Sequence, residues 1–242
     1  MPEVLEPCSS KCIRGACPTD AGNAFRQISQ LVNRGAPCWH RGNCDVEGDF
    51  DIPILPLVRD QGIPELMVPF DKVRTITNRQ DYAVDFYVGD PKLPRLFSHP
   101  GRFVTQFEGF GALASPDMST WQAAPLQFGA VSTWNNRAVG LYFSDRGIRV
   151  IPTARWTHPR DYAHCFAGIQ QGSVVTVSNN GMWNDDSLRE SFMHGLRVLY
   201  DKVDPAAILL HGHFDRSIAL QTPASTRLVH VPTFLSRIKV VA

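Results

Sequence analysis

Two carboxylates and an arginine stand where side chains can do chemistry. Asp85 lies inside the apolar run Ala83-Val84-Asp85-Phe86, and a carboxylate there is costly unless it is paired or used. Asp117 follows a second apolar run in the turn Ser115-Pro116-Asp117. It can act as acid or base, bind a metal, contact a ribose, or cap a short helix through Ser119. Arg155-Trp156 closes a third run, and an arginine beside an indole suits an anion next to a stacked base. Asn179 follows a fourth run, and His211-x-His213 a fifth. Alternate residues of an extended chain share a face, so both imidazoles can grip one metal or flank a substrate. These positions give a catalytic set of Asp85, Asp117 and Arg155, and a substrate-binding set of Ser115, Trp156, Asn179 and His211. Each also has a structural alternative: a hydrogen-bonded carboxylate, a turn, a packed indole, a polar loop.

A second group of reactive residues crowds the start of the chain. Five of the six cysteines fall between positions 8 and 44, as Cys8-x3-Cys12-x4-Cys17 and Cys38-x-His40-x3-Cys44. In a reducing compartment such thiols read as ligands for zinc or an iron–sulfur cluster before a disulfide framework. Unligated thiols and disulfides stay open as alternatives. Phe25, Ile28, Leu31 and Val32 share one helical face between the two groups, and that helix would span about 20 Å. Cys44 has more chain than Cys38 with which to return to Cys17. The favoured ligands are therefore Cys8, Cys12, Cys17 and Cys44, with Cys38 next and His40 last. A site of thiolates alone is structural rather than catalytic, since no position stays open. The sixth cysteine, Cys165 beside Phe166, reads as a small apolar core residue. His158 and His164 read as surface or helix positions, Trp134 as core, and Arg137, one turn past it, as the partner of a carboxylate.

The elements that would position these residues alternate along the chain. Strands are expected over 82–88, 110–115, 148–154, 173–178, 207–210 and 227–231. Helical spacing fills 93–107 with a break at His99-Pro100, then 125–147, 159–166 and 186–203. The last is the clearest, with Leu188, Phe192, Leu196, Leu199 and Val203 on one face. Residues 49–58 are extended but carry too many prolines for a central strand. Repeated strand–helix units imply a parallel sheet covered by helices. The division expected is a Cys-rich metal-binding head, 1–48, and an α/β domain, 49–242. The domain falls short of the about 250 residues that eight barrel units typically need. The fold class is therefore a partial or shortened TIM-like (β/α) barrel, or an open parallel sheet. In either, function gathers at the C-terminal ends of the strands, where all the residues of the first paragraph lie.

Composition excludes several classes. A net charge of +1 over 242 residues, with 43% hydrophobic and 19% charged residues, describes a globular chain with no global field directed at nucleic acid or membrane. No apolar window is long enough to span a bilayer, and the first ten residues have neither the basic nor the apolar part of a signal peptide. A cytoplasmic protein without a membrane partner is expected. There is no Gly-rich dinucleotide fingerprint, P-loop, nucleophile elbow, H-E-x-x-H or zinc-deaminase signature.

The segments DFDIPILPL, VPFD, VDFYVGD, ASPDMSTW, HCFAGIQQGSVVTVS and GLRVLYDKVDPAAILLHG, in that order, resemble the DUF4417 proteins of bacteria, phages and mobile elements. With the long segment from Ala124 to Trp156 they cover about Asp49 to His213. The resemblance implies an α/β body and a phage or mobile-element setting, but no reaction. Proteins of that family often close the fifth strand with a tyrosine and glycine, where this chain has His211-Gly212.

Two functional expectations follow. One is an enzyme acting on nucleotides or nucleic acid, by glycosyl-bond chemistry or base modification, with Asp85 and Asp117 as acid and base and Arg155 as anion binder. The other is a non-catalytic protein that binds nucleic acid or a host protein through the head. Grouping of Asp85, Asp117 and Arg155 at one place favours the first. A basic stripe with exposed Trp121 or Trp156 favours nucleic-acid binding. The sequence leaves the oligomeric state open.

Overall fold

The computed structural model describes residues 44–120 and 124–234. Cys8, Cys12, Cys17, Cys38, His40 and Trp121 lie outside the described residues. No helix among the described residues is long and apolar enough to cross a membrane.

A two-residue hairpin opens the described chain: β1 (Val46–Glu47) pairs antiparallel with β2 (Ile52–Pro53). All later strands are parallel. β3 (Leu66–Pro69), β4 (Tyr82–Asp85), β5 (Ala112–Ala114) and β6 (Val150–Ile151) form one sheet in chain order. β7 (Val174–Ser178), β8 (Ala207–His211) and β9 (Arg227–Val231) form a second, also in chain order. A single parallel bridge, Thr153 to Thr176, joins them. The expectation of a helix-covered parallel α/β fold is met. β3 is an additional strand, set between Pro64 and the terminal Pro69.

Between the strands lie α1 (Pro94–Ser98), α2 (Val104–Phe107), α3 (Leu126–Ser144), α4 (Asp186–Val203) and α5 (Arg216–Gln221). α1 and α2 are separated at the expected His99-Pro100 break by a 3-10 turn, Pro100–Phe103. Pro125 precedes α3 as its cap residue. The Asp185 side chain caps α4 by accepting from the Leu188 amide at 3.0 Å, and Asp204 ends it in the left-handed conformation. The segment 159–166 forms a 3-10 turn over Pro159–Ala163 rather than an α-helix.

Alternation along each strand divides the core. Val68, Val84, Leu113 and Val150 point outward into a cluster with Leu96, Phe97, Phe107 and Val139 of the helices. Val175, Val177, Ile208 and Leu210 do the same against Phe192, Leu196 and Leu199 of α4. The other parity contributes Met67, Ala83, Ala112, Ile151, Val174, Leu209 and Val231, one or more from each of the seven parallel strands, to a single inner cluster. Tyr87, two residues past β4, stacks on His211 of β8 with ring centroids 4.5 Å apart; in a flat array strands four places apart would be about 19 Å apart, so the strands curve around one concave side.

The proline-rich segment after β2 closes this concavity at the N-terminal ends of the strands. Val58 donates to Ser173 Oγ at 3.1 Å and accepts from the Val174 amide at 2.8 Å. Val58 and Ile63 join the inner cluster. Between β9 and β3, among the described residues, side chains rather than a ladder make the link. Arg227 bonds both oxygens of Asp60 and reaches Glu65 at 2.6 Å.

Cys44, the described member of the expected ligand set, is a half-buried free thiol packed against the first outer cluster. Among the described residues no three His, Cys, Asp or Glu side chains come together as metal ligands.

Candidate functional site

The same alternation that builds the inner core places polar groups just beyond it. Asp85 and Tyr87 continue the inward parity of Ala83, Thr153 and Arg155 that of Ile151, and Thr176 that of Val174. His211 continues that of Leu209. They lie at the C-terminal ends of β4, β6 and β8, with Asp117 from the turn after β5 and Thr176 midway along β7. Asp85, Asp117, Thr153, Thr176 and His211 are buried.

Asp117 and Arg155 form the centre. Nη1 of Arg155 donates to Asp117 Oδ2 at 2.7 Å. The carboxylate is only 8% exposed and the guanidinium 26%. Burial pushes the Asp117 carboxyl above its ordinary range, and Arg155 offsets only part of that rise. Burial acts to lower Arg155 as well, but Asp117 outweighs it, so the guanidinium is held more firmly charged. Asp90, whose carboxylate accepts from the Ser119 amide and hydroxyl at 3.1 Å each, acts on both partners.

Tyr87 links this centre to the far side of the concavity. Its hydroxyl lies 2.7 Å from Thr176 Oγ1, and its ring stacks on His211 with centroids 4.5 Å apart. Burial, then the charges of Asp117 and Asp85, push the phenol far above its ordinary value, with Thr176 and Arg155 working against them. The charges of Asp85, Asp117 and Arg155 all act on Tyr87. Asp85 Oδ1 also accepts from the Tyr87 amide at 3.1 Å. His211 Nδ1 lies 3.2 Å from Ser178 Oγ.

A rigid polar layer outside the strands holds the rim in place. Ser115 Oγ donates to Asn136 Oδ1 at 2.6 Å and accepts from the Thr153 amide at 2.7 Å, which ties β5, α3 and β6 together. Ser115 thus faces α3 rather than the rim. The fully buried Arg137 pairs with no carboxylate among the described residues, contrary to expectation. Its donors go to the carbonyls of Thr153, Cys165 and Ala167 and to Asn136 Oδ1. Burial lowers its pKa to about 10. Cys165 is buried as expected, with its thiol pushed well up by burial.

Several residues are not brought to the rim. Trp156 has the parity opposite to Arg155 and is buried against α4. Its indole donates to the Ser191 carbonyl at 3.1 Å and stacks on Phe192. It offers no exposed ring to a base. Both ends of the Asn179 amide bind the His213 backbone at 2.8 Å, so Asn179 clamps the loop after β8. That loop has room for the clamp because Gly212, at φ 117°, has no Cβ; one would lie 2.5 Å from Asn179 Oδ1. His211 and His213 diverge, the first to Tyr87 and the second to the Trp183 ring at 4.9 Å. They do not form a shared metal grip. His164 is buried, not on the surface, with Nδ1 2.9 Å from Thr133 Oγ1. His158 caps the Pro159–Ala163 turn by accepting from the Arg160 amide. Trp134 is half-buried on α3 rather than core.

Thr153 and Thr176 escaped the sequence reading, although each lies at an even spacing from an inward apolar residue of its own strand.

Chemically, the rim offers a carboxyl that holds its proton to higher pH than usual, a second buried carboxylate, and a fixed cation. A retained proton can be given to a leaving group, while the second carboxylate serves as base or nucleophile.

Residues 44–226 match the family described as Domain of unknown function (DUF4417). The chain is also similar to the Gene 1 protein of Mycobacterium phage L5, 31% identical over 155 residues that cover 64% of this chain and 66% of that protein. It is 31% identical to the Gene 1 protein of Mycobacterium phage D29 over 130 residues, 54% of this chain and 48% of that protein. The matched part thus spans about half to two thirds of each relative's length. No solved structure matches.

Proposed function

The chain belongs to the DUF4417 family, and from that premise we propose that it is an enzyme acting on nucleotides or nucleic acid at the rim formed by Asp85, Asp117 and Arg155. The reaction is glycosyl-bond cleavage or exchange. Asp117 serves as the acid for the departing group, Asp85 as base or nucleophile, and Arg155 holds Asp117 and meets substrate charge. The observation that carries this reading is the buried Asp117–Arg155 pair at the strand ends, with the field of Asp85 reaching the same Tyr87 phenol. The phage origin of both curated relatives supports a phage or mobile-element setting, with the work done in the host cytoplasm. The seven-stranded concave sheet is, in this reading, a shortened (β/α) barrel whose missing closure is supplied by Arg227.

The head completes the proposal. Cys8, Cys12, Cys17 and Cys44, with Cys38 as substitute, hold zinc or an iron–sulfur cluster that steadies the N-terminal segment. Metal analysis and a visible spectrum of untagged protein distinguish the two. Protein with no bound metal and freely titrating head thiols overturns this part.

The test of function is nucleoside mass analysis of DNA and nucleotide pools from cells expressing the wild-type chain, Asp85→Asn or Asp117→Asn. An altered nucleoside present with the wild type and absent with both variants is expected. Identical profiles from all three overturn the reading.

A further inference from the structure

We propose that His164 is an acid-sensitive latch: while its ring is neutral it seals the Pro159–Ala163 turn against α3, and when the ring takes up a proton the seal opens. The latch does not depend on the reaction at the rim.

His164 directly follows the turn and is 1% exposed. Three pieces of chain enclose its ring. Thr133 of α3 meets Nδ1 through Oγ1 at 2.9 Å. The Gly129 backbone, one turn earlier on the same helix, lies against the other edge: a Cβ there would stand 2.7 Å from Nε2 and 2.9 Å from Cε1. Phe50, from the loop between β1 and β2, meets the ring nearly at right angles, with centroids 6.0 Å apart. Nε2 is buried and has no hydrogen-bond partner among the described residues. Buried polar atoms are nearly always matched, and neither neutral tautomer matches this one. If Thr133 donates to Nδ1, Nε2 carries an unmatched hydrogen. If Nδ1 donates to Thr133, Nε2 carries an unmatched lone pair.

A proton makes the mismatch far more costly, because both ring nitrogens then donate and the charge is buried. Little faces that charge. On the turn, the Asp161 carboxylate favours it, but Oδ2 of Asp161 already accepts from the Thr157 and His158 amides and the Thr157 hydroxyl. On α3, the Arg137 guanidinium, one turn past Thr133, opposes it. The hairpin loop presents the uncharged Phe50 ring, while Asp49 and Asp51 beside it are exposed. Burial is the largest influence, and with Arg137 it outweighs Asp161, so the enclosed ring takes its proton below the ordinary 6.5. The opened chain therefore binds that proton more readily than the closed one. The contribution of the seal to stability is full above pH 6.5 and is lost as pH falls from there through the lowered value. Asp161 clamps Thr157, two residues past Arg155, so the chain that carries the rim's cation loosens when the turn opens.

The experiment is deuterium exchange of the full chain, read by mass spectrometry across pH 5 to 8 as on the order of seven half-unit steps. Exchange at the ring Cε1–H gives the pKa of each histidine, and backbone exchange gives protection along the chain. In the wild type His164 is expected to titrate below 6.5. The protection factors of residues 126–135 and 159–167 are expected to fall by up to about tenfold per pH unit below that value, while those of β8 hold. His164→Asn keeps a partner for Thr133 and cannot be charged, so protection in those two segments is expected to stay level over the same range. The wild-type measurement is decisive even if the variant does not fold. Titration of His164 at or above 6.5 overturns the latch. So does protection lost equally from β8 and the two segments, or protection in those segments that varies with pH in His164→Asn as it does in the wild type.

Discussion

Asp117 gives up hydration on folding and gains one guanidinium contact, and the loss outweighs the gain, so its carboxyl titrates above its ordinary 3.8. The folded state therefore binds this proton more readily than the unfolded chain. The contribution of Asp117 to stability is fullest below pH 3.8 and is lost as pH rises through the elevated value. Asparagine mimics the protonated form. Asp117→Asn is expected to abolish the reaction and to remove this part of the pH dependence of stability. Thermal unfolding at several pH values checks it; a variant whose midpoint varies with pH as the wild type's does would count against the argument. That Asp117 and Arg155 meet could be read from their common position after apolar runs. That Trp156 and Asn179 do something else could not be read by proximity in sequence. Trp156 is one residue from Arg155 and so faces the other way, while Asn179 is defined by a loop more than thirty residues on.

Helix α4 shows how a strand end and its covering helix fix one another. A Cβ on Gly195 would lie 2.1 Å from Nε1 of Trp156, so the indole lies directly on the helix backbone and bonds the Ser191 carbonyl. In an isolated helix Gly195→Ala would gain about 1 kcal/mol. Here the indole is buried and cannot retreat, so the variant is expected to lose about 1–3 kcal/mol net from overpacking. Urea unfolding measures this, and a gain in stability would refute the packing described. The limits of α4 were legible to the residue, because an acidic cap, a five-residue apolar face and Pro205 mark them. β4 proved shorter than its apolar run because the Asp85 side chain takes the Tyr87 amide and ends the ladder. β3 was hidden by its flanking prolines, which suggest wrapping chain until the strand is seen to pair on one side only, with β4.

At the scale of the whole molecule, no described strand pairs between β9 and β3, and Arg227 reaches across to Asp60 and Glu65. These groups are partly exposed to solvent, so the link is worth little in equilibrium terms. Arg227→Ala is expected to lower stability by about 1 kcal/mol or less, with the difference shrinking as salt is raised. A loss of several kcal/mol, or one insensitive to salt, would mean that the edge is closed by more than this contact. The concave α/β layout was visible in the alternation of runs, whereas the side-chain closure was not, since Asp60 and Arg227 stand 167 positions apart. The strict chain order of the strands also bears on how the molecule is made. Each parallel strand from β4 onward docks on the one synthesised just before it, so the sheet can lengthen stepwise as the chain leaves the ribosome, with no strand waiting for a distant partner. The contacts that must wait for the end are those of Arg227, and the rim, whose last member His211 arrives only with β8, is assembled late in synthesis.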